Sequence, residues 1–116
     1  MAYQGQCHCG AVAFSVEAEQ PSDAVICNCS HCQAKGFLLA FHPVDAFTLT
    51  QGEESLATYM FNRHKLQHRF CSTCGTQPFA EGVDPEGKAM RAVNLRCVPG
   101  LDLANLKFHP FDGASL

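Results

Sequence analysis

Hydrophobic positions along this chain recur mostly with a period of two. Val12, Phe14 and Val16 alternate with Ala11, Ala13 and Ser15, the spacing of a strand with one buried face. Phe47-Thr48-Leu49-Thr50 repeats the pattern, and Leu56 to Phe61, Leu66 to Phe70 and Met90 to Leu95 read as further strands. Leu66, His68 and Phe70 share one face of theirs. Ala24-Val25-Ile26 is a short apolar run, and Phe37 to Phe41 is another that His42-Pro43 stops. Pro21-Ser22-Asp23 and Gln51-Gly52-Glu53 are turn sequences, and Glu81 to Lys88, with two Gly and a Pro, reads as a loop. Helix is scarce. Ser30 to Lys35 predicts one short helical turn capped by Ser30; Asp45 stands where a cap would, but the residues after it favour strand. Short strands at regular spacing with turns between them predict a mainly β domain with little helix.

The chain has 116 residues, which suits one domain over residues 1–116 with a modest core. Eight Lys and Arg against 11 Asp and Glu give a formal charge of −3, which argues against a dedicated nucleic-acid binder. No apolar run approaches the roughly 20 residues of a membrane-spanning helix. The start, Met1-Ala2-Tyr3-Gln4-Gly5-Gln6, lacks the basic and apolar regions of a secretory signal. These features together predict a cytoplasmic protein, where thiols stay reduced and bind metal more often than they pair.

Eight cysteines make that last point the central one. Cys7-His8-Cys9 is followed by Gly10, Cys71-Ser72-Thr73-Cys74 by Gly75, and between them lies Cys27-Asn28-Cys29-Ser30-His31-Cys32; Cys97 stands alone. Thiolates are good zinc ligands, and a C-x-x-C turn brings two sulfurs onto one ion. A C-x-C in extended chain puts both side chains on one side, with His8 on the other. Seven clustered thiols divide as four and three. Structural zinc sites fill all four positions with protein; catalytic sites keep three protein ligands and an open fourth. Cys27, Cys29 and Cys32 are close enough in sequence to meet at one metal without long-range closure. Cys7 and Cys9 with Cys71 and Cys74 are two bidentate halves that would staple the N-terminal strand to the middle of the chain.

The segments Gly5 to Phe14, Cys27 to Cys32 and Arg69 to Thr76 together resemble the glutathione-dependent formaldehyde-activating enzyme family, which includes the centromere protein V domain. The resemblance covers roughly residues 5 to 110. It implies a β-tent of antiparallel sheets, a structural zinc on Cys7, Cys9, Cys71 and Cys74, and a second, labile zinc on Cys27, Cys29 and Cys32 where the chemistry is placed. It implies formation of S-hydroxymethylglutathione from glutathione and formaldehyde, a carbon–sulfur lyase reaction in the reverse sense. Glutathione carries two carboxylates, so positive charge is expected near the metal. Asn62 to Arg69 is rich in basic side chains and has no acid. Arg63, Lys65 and Arg69 share one strand face by parity, and Arg suits bidentate carboxylate recognition; the plainer reading of the same stretch is a solvated edge strand.

Rival readings stay open on the sequence. For the cysteines the rivals are a set of disulfides, or reduced thiols in the middle cluster beside a single zinc. For the domain they are a non-catalytic zinc-stapled module that binds a protein or nucleic acid, and a redox relative using Cys97. His31 reads as a polar neighbour of the ligands, His42 and His109 as structural, Cys97 as a small buried hydrophobe, and Phe37 and Phe41 as core.

Overall fold

The computed structural model describes residues 1–60 and 66–115. In chain order the strands are β1 (Tyr3–Gln6), β2 (Ala13–Val16), β3 (Asp23–Cys27), β4 (Leu39–Pro43), β5 (Phe47–Gln51), β6 (Leu56–Tyr59), β7 (Gln67–Cys71), β8 (Phe79–Val83), β9 (Ala89–Asn94) and β10 (Lys107–Phe111), and α1 (Ser30–Lys35), the one α-helix among the described residues, lies between β3 and β4. Short 3-10 turns join several of them, including Val44–Ala46, Glu53–Ser55 and Leu95–Cys97. The protein is mainly β, as the period-two pattern predicts.

The strands form two sheets. One has three strands in the order β1-β2-β5, and the other seven in the order β10-β3-β4-β9-β8-β7-β6. All pairings are antiparallel except one: β10 runs parallel to β3, with Phe108 beside Ala24 and Phe111 beside Cys27. The sheets are otherwise antiparallel, as expected. A parallel pair needs a long connection, and β10 returns from the far end of the chain. Its Pro110 is tolerated because β10 is an edge strand.

Alternation does what it predicts in β2. Phe14 and Val16 are fully buried in a core shared with Tyr3, Leu38, Val93, Leu95 and Leu106. Phe14 stacks on Phe47 across the β2–β5 pair at 5.3 Å, and Phe47 meets Phe79 of the larger sheet at 4.7 Å. The core therefore lies between the sheets. Cys97 is part of it, and burial raises its thiol to about 12. Gly5 is required by this packing: a Cβ there would lie 2.3 Å from the Phe14 ring.

Several boundaries differ from the sequence reading. The loop expected from Glu81 begins later, because β8 takes Glu81 to Val83 into a ladder with β9 that outweighs the low strand propensity of Gly82. β4 runs through His42 and Pro43, which pair with Arg91 and Met90 of β9. Phe41 consequently points outward and is 51% exposed, whereas Phe37 is buried as expected. The basic stretch does not end in an edge strand: β7 lies between β6 and β8. Arg63, Lys65 and Phe61 lie outside the described residues. No helix among the described residues is long and apolar enough to cross a membrane.

Candidate metal centres

The N-terminal strand β1 delivers Cys7, and a tight turn carries Cys9 beside it, the N–H of Gly10 donating to the carbonyl of Cys7 at 3.1 Å with Gly10 at φ 82°. The C-x-C is therefore a turn and not extended chain, and His8 is exposed on it rather than on the back of a strand. Strand β7 delivers Cys71, and a second turn, closed by the N–H of Gly75 on the Cys71 carbonyl at 2.8 Å, brings Cys74 round. The four sulfurs lie within 4.8 Å of one another. Cys9 Sγ is 3.7 Å from both Cys7 Sγ and Cys71 Sγ. A tetrahedral ion with Zn–S bonds of about 2.3 Å requires sulfurs about 3.8 Å apart, so this set fits zinc.

Electrostatics agrees with geometry. Backbone N–H groups of Val12 and Thr73 donate to the sulfurs of Cys7 and Cys71 at 3.3 and 3.4 Å. The Thr76 hydroxyl, chiefly, draws Cys74 down to about 5, and the N–H of Cys74 lowers Cys71. The N–H of Ala11 favours the thiolate at Cys9, but desolvation and the crowding of Cys7, Cys71 and Cys74 push it up to about 11. Four thiolates this close repel unless a cation sits among them.

The second group forms where β3 ends. Cys27 is its last residue, and Cys29 caps α1, its Sγ accepting the N–H of Cys32 at 3.3 Å. The cap is thus Cys29, one residue before the expected Ser30, because a thiolate accepts the free helical N–H that a hydroxyl would otherwise take. Cys32 lies in the first turn of α1, and Gly36 ends the helix in the left-handed conformation. The sulfurs of Cys27, Cys29 and Cys32 lie within 4.8 Å. At Cys29 burial opposes ionisation, but the N–H of Cys32 and the adjoining sulfurs outweigh it and the thiol is lowered; at Cys32 burial prevails and raises it. Three sulfurs in this compass also suit zinc, with one position left for an outside ligand.

The structure adds residues at this group that the sequence did not single out. Asn28 ties the C-terminal segment onto it: its Nδ2 donates to Asp112 Oδ1 at 2.9 Å, its Oδ1 accepts from the N–H of Ala114 at 2.8 Å, and its own N–H donates to the Phe111 carbonyl at 3.1 Å. Gly113 is pressed so closely on the triad that a Cβ there would lie 2.4 Å from Cys27 Sγ. Nothing local in the sequence marks these contacts, because residues 107–115 reach the triad only through the parallel β10–β3 pair. A cavity of about 670 Å³ opens beside the triad, bordered by Cys27, Cys32, Phe37, Arg96, Phe108 and Phe111.

His31 packs its ring against Phe37, Tyr59 and His68, the last at 4.0 Å between centroids. His68 Nδ1 accepts from Gln77 Nε2 at 3.1 Å, and Lys35 donates to Oε1 of the same glutamine. Burial, with His31 and Lys35 nearby, holds His68 down at about 4. Arg69 faces away from His68 by alternation and pairs with Glu81, which Arg91 also binds at 3.1 Å. The three line a separate cavity with Phe47 and Phe79. His42 bonds the Tyr3 hydroxyl at 2.6 Å, and His109 pairs with Asp23 at 2.8 Å.

Comparison with known proteins gives two results. The family model described as glutathione-dependent formaldehyde-activating enzyme matches residues 2–110. Among solved structures, a Rhodobacter sphaeroides protein determined in a structural-genomics programme superposes with a TM-score of 0.77 at 30% identity, over 91% of this chain and 99% of that one.

Proposed function

The chain belongs to the glutathione-dependent formaldehyde-activating enzyme family, and from that premise we propose that it joins glutathione, or another small thiol, to formaldehyde at the Cys27, Cys29, Cys32 group. The observation that carries this reading is the contrast between the two sulfur groups: four ligands in one, and three beside an open cavity in the other. Cys7, Cys9, Cys71 and Cys74 would hold a structural zinc and Cys27, Cys29 and Cys32 a second, more labile one. Zinc at the triad supplies a Lewis acid that keeps a bound thiol deprotonated near neutral pH.

The chain's own residues do the rest. The N–H groups of Cys29 and Cys32 donate to Cys27 Sγ and Cys29 Sγ at 3.5 and 3.3 Å, which stabilises negative charge on those sulfurs. Phe37, Phe108 and Phe111 border the cavity and give it an apolar wall. The substrate's sulfur lone pair forms the new C–S bond to the formaldehyde carbon. The C=O π pair moves to oxygen, which takes a proton from solvent. Run backwards, the same step cleaves a C–S bond, the sense in which the activity is a carbon–sulfur lyase. Two sites built on seven thiolates between them need a reducing compartment, and we assign the protein to the cytoplasm on that ground.

Exchange between glutathione and formaldehyde, followed by NMR with and without the zinc-loaded protein, tests the reaction. Acceleration that Cys29→Ser abolishes while the fold persists is the expected result. Equal rates with and without protein, across glutathione concentrations, overturn it.

A further inference from the structure

We propose that Arg96 is the carboxylate-recognising residue of the thiol site, so that the cavity beside the triad selects thiols bearing a carboxylate some bonds away from sulfur. This rests on the reading of the triad as the thiol site. The cavity contains two of the three triad cysteines in its lining, so a thiol placed with its sulfur at the triad must extend along it. Its volume, about 670 Å³, is in the range that encloses a peptide-sized ligand.

Among the described residues, Arg96 is the one Lys or Arg that lines that cavity. Two anchors fix it. Its N–H donates to Asn94 Oδ1 at 3.1 Å, in a 3-10 turn whose neighbours Leu95 and Cys97 are buried in the core. Its Nε donates to the carbonyl of Gly36, at the end of α1, at 2.6 Å. Among the described residues no acid pairs with its two terminal amino groups. A guanidinium held by Nε and offering its other edge is arranged for bidentate carboxylate recognition. Asp112, the one acid among the described residues on the same lining, is already engaged by Asn28 and Ser115. Arg69, by contrast, is committed to Glu81 in the other cavity. The exposed faces of Ile26, Phe108 and Phe111 form the apolar side along which the uncharged part of the ligand would lie.

The test titrates zinc-loaded protein with glutathione and with glutathione diethyl ester, which lacks both carboxylates, by calorimetry, and repeats both as substrates. Arg96→Gln is expected to weaken glutathione binding and raise its KM roughly 10- to 100-fold, the range of a lost charged hydrogen-bonded pair, with kcat nearly unchanged. Arg96→Lys recovers part of the loss. The ester binds the wild type as weakly as glutathione binds Arg96→Gln, and the variant weakens it no further. A purely structural role at the end of α1 would instead lower the melting temperature and affect both ligands alike, and that result overturns the proposal. Equal binding of glutathione and its ester to the wild type also overturns it, and needs no variant to fold. Absence of glutathione binding to the wild type does the same. Binding that depends on Arg96 without acceleration of the formaldehyde reaction leaves the subsite standing and removes the proposed reaction. Acceleration that Arg96→Gln leaves untouched has the opposite meaning.

Discussion

Gly113→Ala should disable the three-cysteine group while leaving the rest of the protein intact. A Cβ at residue 113 falls 2.4 Å from Cys27 Sγ, 3.4 Å from Cys29 Cβ and 3.6 Å from the Phe111 ring. Ordinary contact lies near 3.5–4.0 Å, so the sulfur or the C-terminal turn must retreat by about 1 Å. Metal sites tolerate ligand displacements of only about 0.2 Å. Gly113 does not occupy the left-handed region, so alanine adds no backbone strain and the effect isolates the contact. Overpacking of this kind costs about 1–3 kcal/mol, which corresponds to a loss of zinc affinity at the triad of roughly 5- to 150-fold. Competition of zinc-loaded protein against a chromogenic chelator should give two release phases, only the weaker one shifted, with unchanged far-UV circular dichroism. Gly87→Ala is the control: nothing lies within 4 Å of its Cβ, but its φ of +87° makes alanine strained, so it should lower stability by about 1 kcal/mol without altering zinc release. A Gly113→Ala release curve superimposable on that of the wild type refutes the assignment of the C-terminal turn as a wall of the metal site.

Cys71→Ser should collapse the fold, because Cys71 is buried where both sheets meet the four-cysteine group and metal binding there is folding free energy; Cys29→Ser should stay folded with one zinc fewer. Circular dichroism and metal content by mass spectrometry distinguish them, and equal collapse of both contradicts the division into staple and open site. Leu95→Ala, at a side chain with no exposed surface, should cost about 2–5 kcal/mol, read from urea midpoints. Acidification should destabilise the protein through His68. Its folded value of about 4 lies below the ordinary value near 6.5, so the unfolded chain takes up the proton first. Its contribution is whole above about pH 6.5 and lost as pH falls towards 4, at up to about 1.4 kcal/mol per pH unit. Subtracting the pH profile of His68→Gln from that of the wild type should expose this slope, and a flat difference would count against it.

The alternating pattern made β2, β5, β6, β7 and β9 legible, because a half-buried strand writes its own alternation, whereas β3 shows only as a short apolar run. It did not reveal β1 or β10. β1 is four residues long with glycine in it and is held by its neighbour β2; every residue of β10 is exposed, and its ladder partner β3 is distant in sequence. The division of seven cysteines into four and three could be read from spacing, since ligands six residues apart can meet without help from the fold, and the sulfur distances agree with it.

What spacing could not supply was the surroundings of each group. Asn28 lies between two ligands in the sequence, yet its role comes from Asp112 and Ala114. Arg69 looked available for an anion because no acid adjoins it in the chain; the β7–β8 register sets Glu81 beside it instead. Arg96 reaches the cavity because α1 and the turn after β9 are brought together at Gly36. The sequence by itself determined the β character and the grouping of seven cysteines as four and three, which follow from local period and motif spacing. The tertiary structure alone decided which charges remain free and what walls the open site, because those follow from strand register and from contacts between segments up to 86 residues apart in the chain.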